Sequence, residues 1–92
     1  MDLLGNLDEI GKEWETLKAN RFEPKLLADF KLKYKGKIIV TTAPFACPEG
    51  EVYVYLRIKG MKGKPIFRVC FPADEWNENK LVANEIIKQR AR

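Results

Sequence analysis

Leu26-Leu27-Ala28-Asp29-Phe30-Lys31-Leu32-Lys33-Tyr34-Lys35 is the stretch on which the architecture turns. Ala28, Phe30, Leu32 and Tyr34 alternate with Asp29, Lys31, Lys33 and Lys35, which is the pattern of a strand with one dry and one wet face. Lys35-Gly36 then separates it from a second apolar run at residues 37–42, a gap that suits a tight hairpin. The sequence therefore predicts two early strands paired through that turn.

Upstream, Leu3, Leu7, Ile10, Trp14 and Leu17 are spaced four, three, four and three, the stripe of an amphipathic helix over residues 3–20. Asp2 stands at the N-cap position, Gly5 and Gly11 weaken the helix, and Pro24 disfavours helical geometry at Glu23. Residues 21–25 thus read as a connector. Downstream, residues 43–50 hold two prolines and a glycine and make a loop. Residues 51–59 and 64–71 read as two more strands around Gly60-Met61-Lys62-Gly63, with Pro72 ending the sheet. A final helix, capped by Asp74 or Asn77, has Val82, Ala83, Ile86 and Ile87 on its dry face. The expected fold is a single α+β domain over residues 1–92, of order α-β-β-β-β-α: a four-stranded antiparallel meander with both helices on one sheet face.

At 92 residues, a chain of this length buries about 60 to 65% of the surface its unfolded form exposes, enough for one core. No stretch reaches the roughly 20 apolar residues that cross a bilayer. The first ten residues hold three acids and no base, unlike a secretory signal. A cytoplasmic protein with no membrane partner is expected, with Cys47 and Cys70 kept as separate thiols. The sequence contains no His, which removes the commonest general base and the commonest metal ligand together. Cys47, in a loop, has no His to activate it, and Cys70 reads as a half-buried strand thiol. Glu49 and Glu51 lack a matching carboxylate cluster, and the glycines at 60 and 63 lack the spacing of a phosphate cradle. A non-enzymatic chain follows, with no catalytic residue, no metal and no cofactor.

Charge is unevenly placed. Residues 1–30 carry four bases against seven acids, whereas residues 31–72 carry nine bases against Glu49 and Glu51. Strand alternation puts Lys31, Lys33, Tyr53, Tyr55, Arg57, Lys59, Ile66 and Arg68 on the face away from the helices, with Lys35, Lys37, Lys62 and Lys64 at the hairpin tips. Cations release counterions from phosphates, and flat rings supply a platform for bases. Lys31, Lys33, Tyr53, Tyr55, Arg57, Lys59, Lys62 and Arg68 are accordingly the candidate nucleic-acid-binding residues. An acidic protein is the other anionic partner such a surface suits, and a solvated sheet face guarded by Lys is its plain structural explanation. The alternative function is protein–protein interaction or homodimerisation through the heptad-spaced first helix and the aromatic or apolar residues Phe22, Phe45, Met61 and Trp76.

Residues 53–60 and 66–72, preceded by a helix, loosely resemble the helix-and-meander half of ubiquitin-conjugating and RWD-type domains. That family's catalytic cysteine and His-Pro-Asn segment lie downstream of the meander, where this chain has neither, so the resemblance assigns no activity and no family is adopted.

Overall fold

The computed structural model describes residues 7–43, 47–59 and 66–90. Its order is α1 (Leu7–Ala19), α2 (Pro24–Lys33), β1 (Ile38–Ala43), β2 (Glu51–Ile58), β3 (Ile66–Pro72) and α3 (Ala73–Arg90). The class is α+β, but the four-stranded α-β-β-β-β-α expectation is corrected: the described residues form three helices and a three-stranded antiparallel sheet of order β1-β2-β3.

The difference lies in the opening stretch. Pro24 does not merely end α1; it occupies the first turn of α2, where its missing N–H costs nothing. Glu23 caps the helix, its carboxylate accepting from the backbone N–H groups of Lys25 and Leu26 at 3.1 Å each. The buried residues Leu27, Phe30 and Tyr34 then recur at three and four, so the dry stripe is helical. Between the helices, the Phe22 N–H donates to the Leu17 carbonyl (2.7 Å) and the Arg21 N–H to the Lys18 carbonyl (3.0 Å). This is a Schellman closure, with Arg21 and Phe22 at φ 52° and 53°. A non-glycine pair in left-handed geometry gives no sequence cue for the corner. Lys35-Gly36 is correspondingly the turn from α2 into β1 rather than a strand hairpin, and Gly36 (φ 80°) supplies its left-handed residue.

Trp14, Phe22, Leu27, Leu56 and Trp76 are all fully buried in one core between the helices and the sheet. Phe22 is its hub, meeting Trp14, Phe71 and Trp76 edge-on at 5.0–5.4 Å. Arg21 clamps α3 onto the corner: its guanidinium donates to both carboxylate oxygens of Glu75 (2.8 and 2.6 Å), and its carbonyl accepts from Asn79 Nδ2 (3.0 Å). α3 starts at Ala73, so Asp74 and Asn77 lie inside it instead of capping it. Its dry face is Trp76, Ala83, Ile86 and Ile87, whereas Val82, expected on that face, is exposed. Among the described residues no helix is long and apolar enough to cross a membrane.

Candidate functional face of the sheet

β2 is the central strand, and its alternation holds. Val52, Val54, Leu56 and Ile58 pack toward the helices, leaving Tyr53, Tyr55 and Arg57 on the other side. The ladder sets their neighbours: Ile39 lies opposite Arg57, Thr41 opposite Tyr55, and Tyr53 sits between Ala43 and Cys70. The Tyr53 and Tyr55 rings are tilted toward each other at 5.8 Å between centroids. All three helices bury their apolar faces in the core on the opposite side, so none of them packs on these rings, which are half-buried in the sheet face.

β3 does not keep strict parity. Val54 pairs with Val69 but Leu56 with Ile66, so Phe67 and Arg68 together oppose Tyr55 in a bulge. Phe67 takes φ 55° there and turns its ring onto Trp14 (6.3 Å), over the notch left by Gly11, where an added Cβ would lie 3.4 Å from the Phe67 ring. Ile66 packs against the core rather than facing outward as expected, and Arg68 stays exposed beside Tyr55.

The lysines separate. In a helix, residues two apart point to different sides, so Lys31 and Lys33 cannot share a wall. Lys33 turns to α1, where Glu9 (3.1 Å) and Glu13 (2.5 Å) accept from its ammonium and hold it well above the usual lysine range. Glu13 also accepts from the Tyr34 hydroxyl at 2.5 Å; burial first, then that carboxylate, pushes Tyr34 up to about 12. Lys31 turns to α3 and contacts Asn84 at 3.4 Å. Both are thereby removed from the candidate face. Lys62 lies outside the described residues, as do Lys64, Phe45 and Met61.

What the fold does bring together is Tyr53, Tyr55, Arg57, Lys59 and Arg68. Lys59 follows β2 directly, its N–H donating to the Lys37 carbonyl at 2.9 Å, which sets those two lysines across from each other at the end of the sheet. None of Lys35, Lys37, Arg57, Lys59 and Arg68 has an ion-pair partner among the described residues. Ile39, 42% exposed on the same face, escaped the sequence reading because its strand was placed but its outward register was not.

Cys47 and Cys70 form a disulfide, with Cα atoms 5.7 Å apart, correcting the expectation of two separate thiols. Cys70 lies outward, in register with Tyr53, so the bond ties the loop before β2 to β3 alongside the rings. The free loop thiol considered for Cys47 does not exist in this state. Among the described residues no three Cys, Asp or Glu side chains are grouped so as to hold a metal ion. Ile10, Trp14 and Leu17 of the first helix, together with Phe22 and Trp76, are buried in the core and leave no free stripe on α1.

No family model, curated protein or solved structure matches this chain.

Proposed function

We propose that the chain is a non-enzymatic binding module whose open sheet face meets an anionic partner, with single-stranded nucleic acid the partner its chemistry suits best. The observation that carries this reading is the Tyr53–Tyr55 pair flanked by Arg57, Lys59 and Arg68, cations with no ion-pair partner among the described residues. Rings of this kind stack on bases for about 1 to 3 kcal/mol each and tolerate any sequence. Arginine forks and an ammonium on the same wall would engage the phosphates.

The experiment is a salt titration with a fluorescent single-stranded oligonucleotide. Three phosphate contacts predict a log–log slope of about −2, and replacing both Tyr53 and Tyr55 by Ala should weaken binding while leaving the slope in place. Absence of binding at low salt refutes the reading. An acidic protein surface would use the same cations together with Ile39 in place of the rings; Tyr→Ala variants that retain full affinity for a polyglutamate probe identify that case.

The compartment follows the cysteines. The cytoplasmic placement was read from the acidic first ten residues and implied two thiols, whereas a persistent disulfide suits an oxidising compartment. Alkylation of the protein as isolated under non-reducing conditions, followed by reduction and thiol titration, decides between them: two newly released thiols mean the bond was present, and none means that both cysteines were free.

A further inference from the structure

The helix side of the sheet is open at one edge. Between β1, the C-terminal end of α2 and α3 runs a groove of about 330 Å³, within the lower range of small-molecule sites. Leu32, Ile38, Val40 and Ile87 line it, with Ile39 and Gly36 at its edge; Lys31 and Lys35 are its charged residues, and no carboxylate among the described residues takes part. Another groove, of about 180 Å³ between α1 and α2, is the opposite case: Glu13, Asp29 and Lys33 line it, and their charges are already paired with one another or with Arg90.

Lys31 is the unusual group. Its ammonium is partly withdrawn from water, its polar contact is the long one to Asn84, and its charged neighbour is another cation, Lys80. Burial, with that like charge behind it, pushes Lys31 below the ordinary lysine range. A half-buried cation without a counterion is unfavourable until an anion reaches it. Apolar walls that include two lysines with no ion-pair partner among the described residues match a molecule with an alkyl chain and one anionic group. A nucleobase would leave its polar edge unsatisfied against Leu32 and Ile87.

We propose that this groove binds a free medium-chain alkyl carboxylate, its chain lying along Leu32, Ile38, Val40 and Ile87 and its carboxylate meeting Lys31 and Lys35. The site meets the sheet face at Ile39 of the edge strand and shares none of its cations or rings, so it does not depend on the reading given for that face.

The test is an amide chemical-shift titration of the full chain with decanoate below its micelle concentration, run in parallel with decanol and decyltrimethylammonium. Decanoate should give saturable shifts at residues 31–40 and around Ile87. Its affinity should exceed that of decanol by about tenfold or more, as charge-assisted contacts imply. The double variant Lys31→Gln, Lys35→Gln should lose that advantage, and Ile87→Trp should fill the groove and abolish binding. Should Ile87→Trp not fold, the glutamine variant decides alone, because both lysines are outside the core. Three results each overturn the proposal: no saturable binding at millimolar decanoate, equal affinity for the alcohol or the quaternary ammonium, and shifts confined to exposed Leu81 and Val82 or to the tyrosine face.

Discussion

The helical layer and the outer sheet face carry similar cations and treat them in opposite ways. Around the helices, Lys33 joins α2 to Glu9 and Glu13 of α1, Arg90 joins α3 to Asp29 of α2, and Arg21 joins the α1–α2 corner to Glu75. Those charges fix how helices sit on one another. On the sheet, Arg57, Lys59 and Arg68 have no such partners among the described residues, and the acids of that region, Glu49 and Glu51, lie on the loop and at the start of β2. The lesson is that a cation's role follows from which acids its element brings within reach, and not from the local density of lysine in the chain.

The largest expected contrast is between an aromatic on each side of the sheet. Trp14→Ala should cost about 3 to 5 kcal/mol, much of a small domain's total stability. Tyr55→Ala should cost less than about 1 kcal/mol while weakening oligonucleotide binding. Urea unfolding followed by circular dichroism measures both, and equal losses would erase the distinction between the regions. Next comes the covalent tie of the sheet face. Converting both Cys47 and Cys70 to Ser opens a closure spanning 23 positions, and chain-entropy arguments put that loss at about 3 kcal/mol. Thermal melts with and without reductant test this, and identical melts would contradict it.

A smaller effect probes the helical layer by pH. The Tyr34 hydroxyl has an ordinary value of 10.0 and is raised to about 12 in the fold, so its contribution is fully present below pH 10 and is lost as pH rises through 12. Tyr34→Phe should cost about 1 kcal/mol at neutral pH and flatten the alkaline loss across that window, measured by urea midpoints at stepped pH. The smallest stability effects belong to the exposed cations, where the two regions should part in binding instead. Arg57→Gln with Arg68→Gln should lower the salt slope by about 1.4, whereas Lys33→Gln should leave binding unchanged. A Lys33→Gln variant that binds as weakly as the arginine pair would break the comparison.

Legibility in the sequence followed the strength of local periodicity. The stripe of Ile10, Trp14 and Leu17 was readable because three-four spacing has no strand counterpart, and Tyr53, Tyr55 and Arg57 were readable as outward-facing because the central strand tolerates no slip without exposing Val54 and Leu56. The segment from Leu26 to Tyr34 was not, because its apolar residues satisfy both periods and the deciding signals were muted. Glu23 is an uncommon capping residue, Pro24 both closes one helix and opens another, and the corner uses Arg21 and Phe22 where glycine would have announced it. With that segment misread, Lys31 and Lys33 were assigned to a wall they do not share. The bulge at Phe67 had no cue in composition, and the Cys47–Cys70 bond depends on β2 and β3 being in register, which pairing along the chain alone does not disclose.

The most direct test of the sheet-face assignment is a two-dimensional amide spectrum of the ¹⁵N-labelled chain, recorded at low salt as single-stranded oligonucleotide is added. The account predicts saturable shifts centred on Tyr53, Tyr55, Arg57, Lys59 and Arg68 that vanish as salt is raised. Shifts centred on α1 and α3, or a spectrum unmoved by the oligonucleotide, would contradict it.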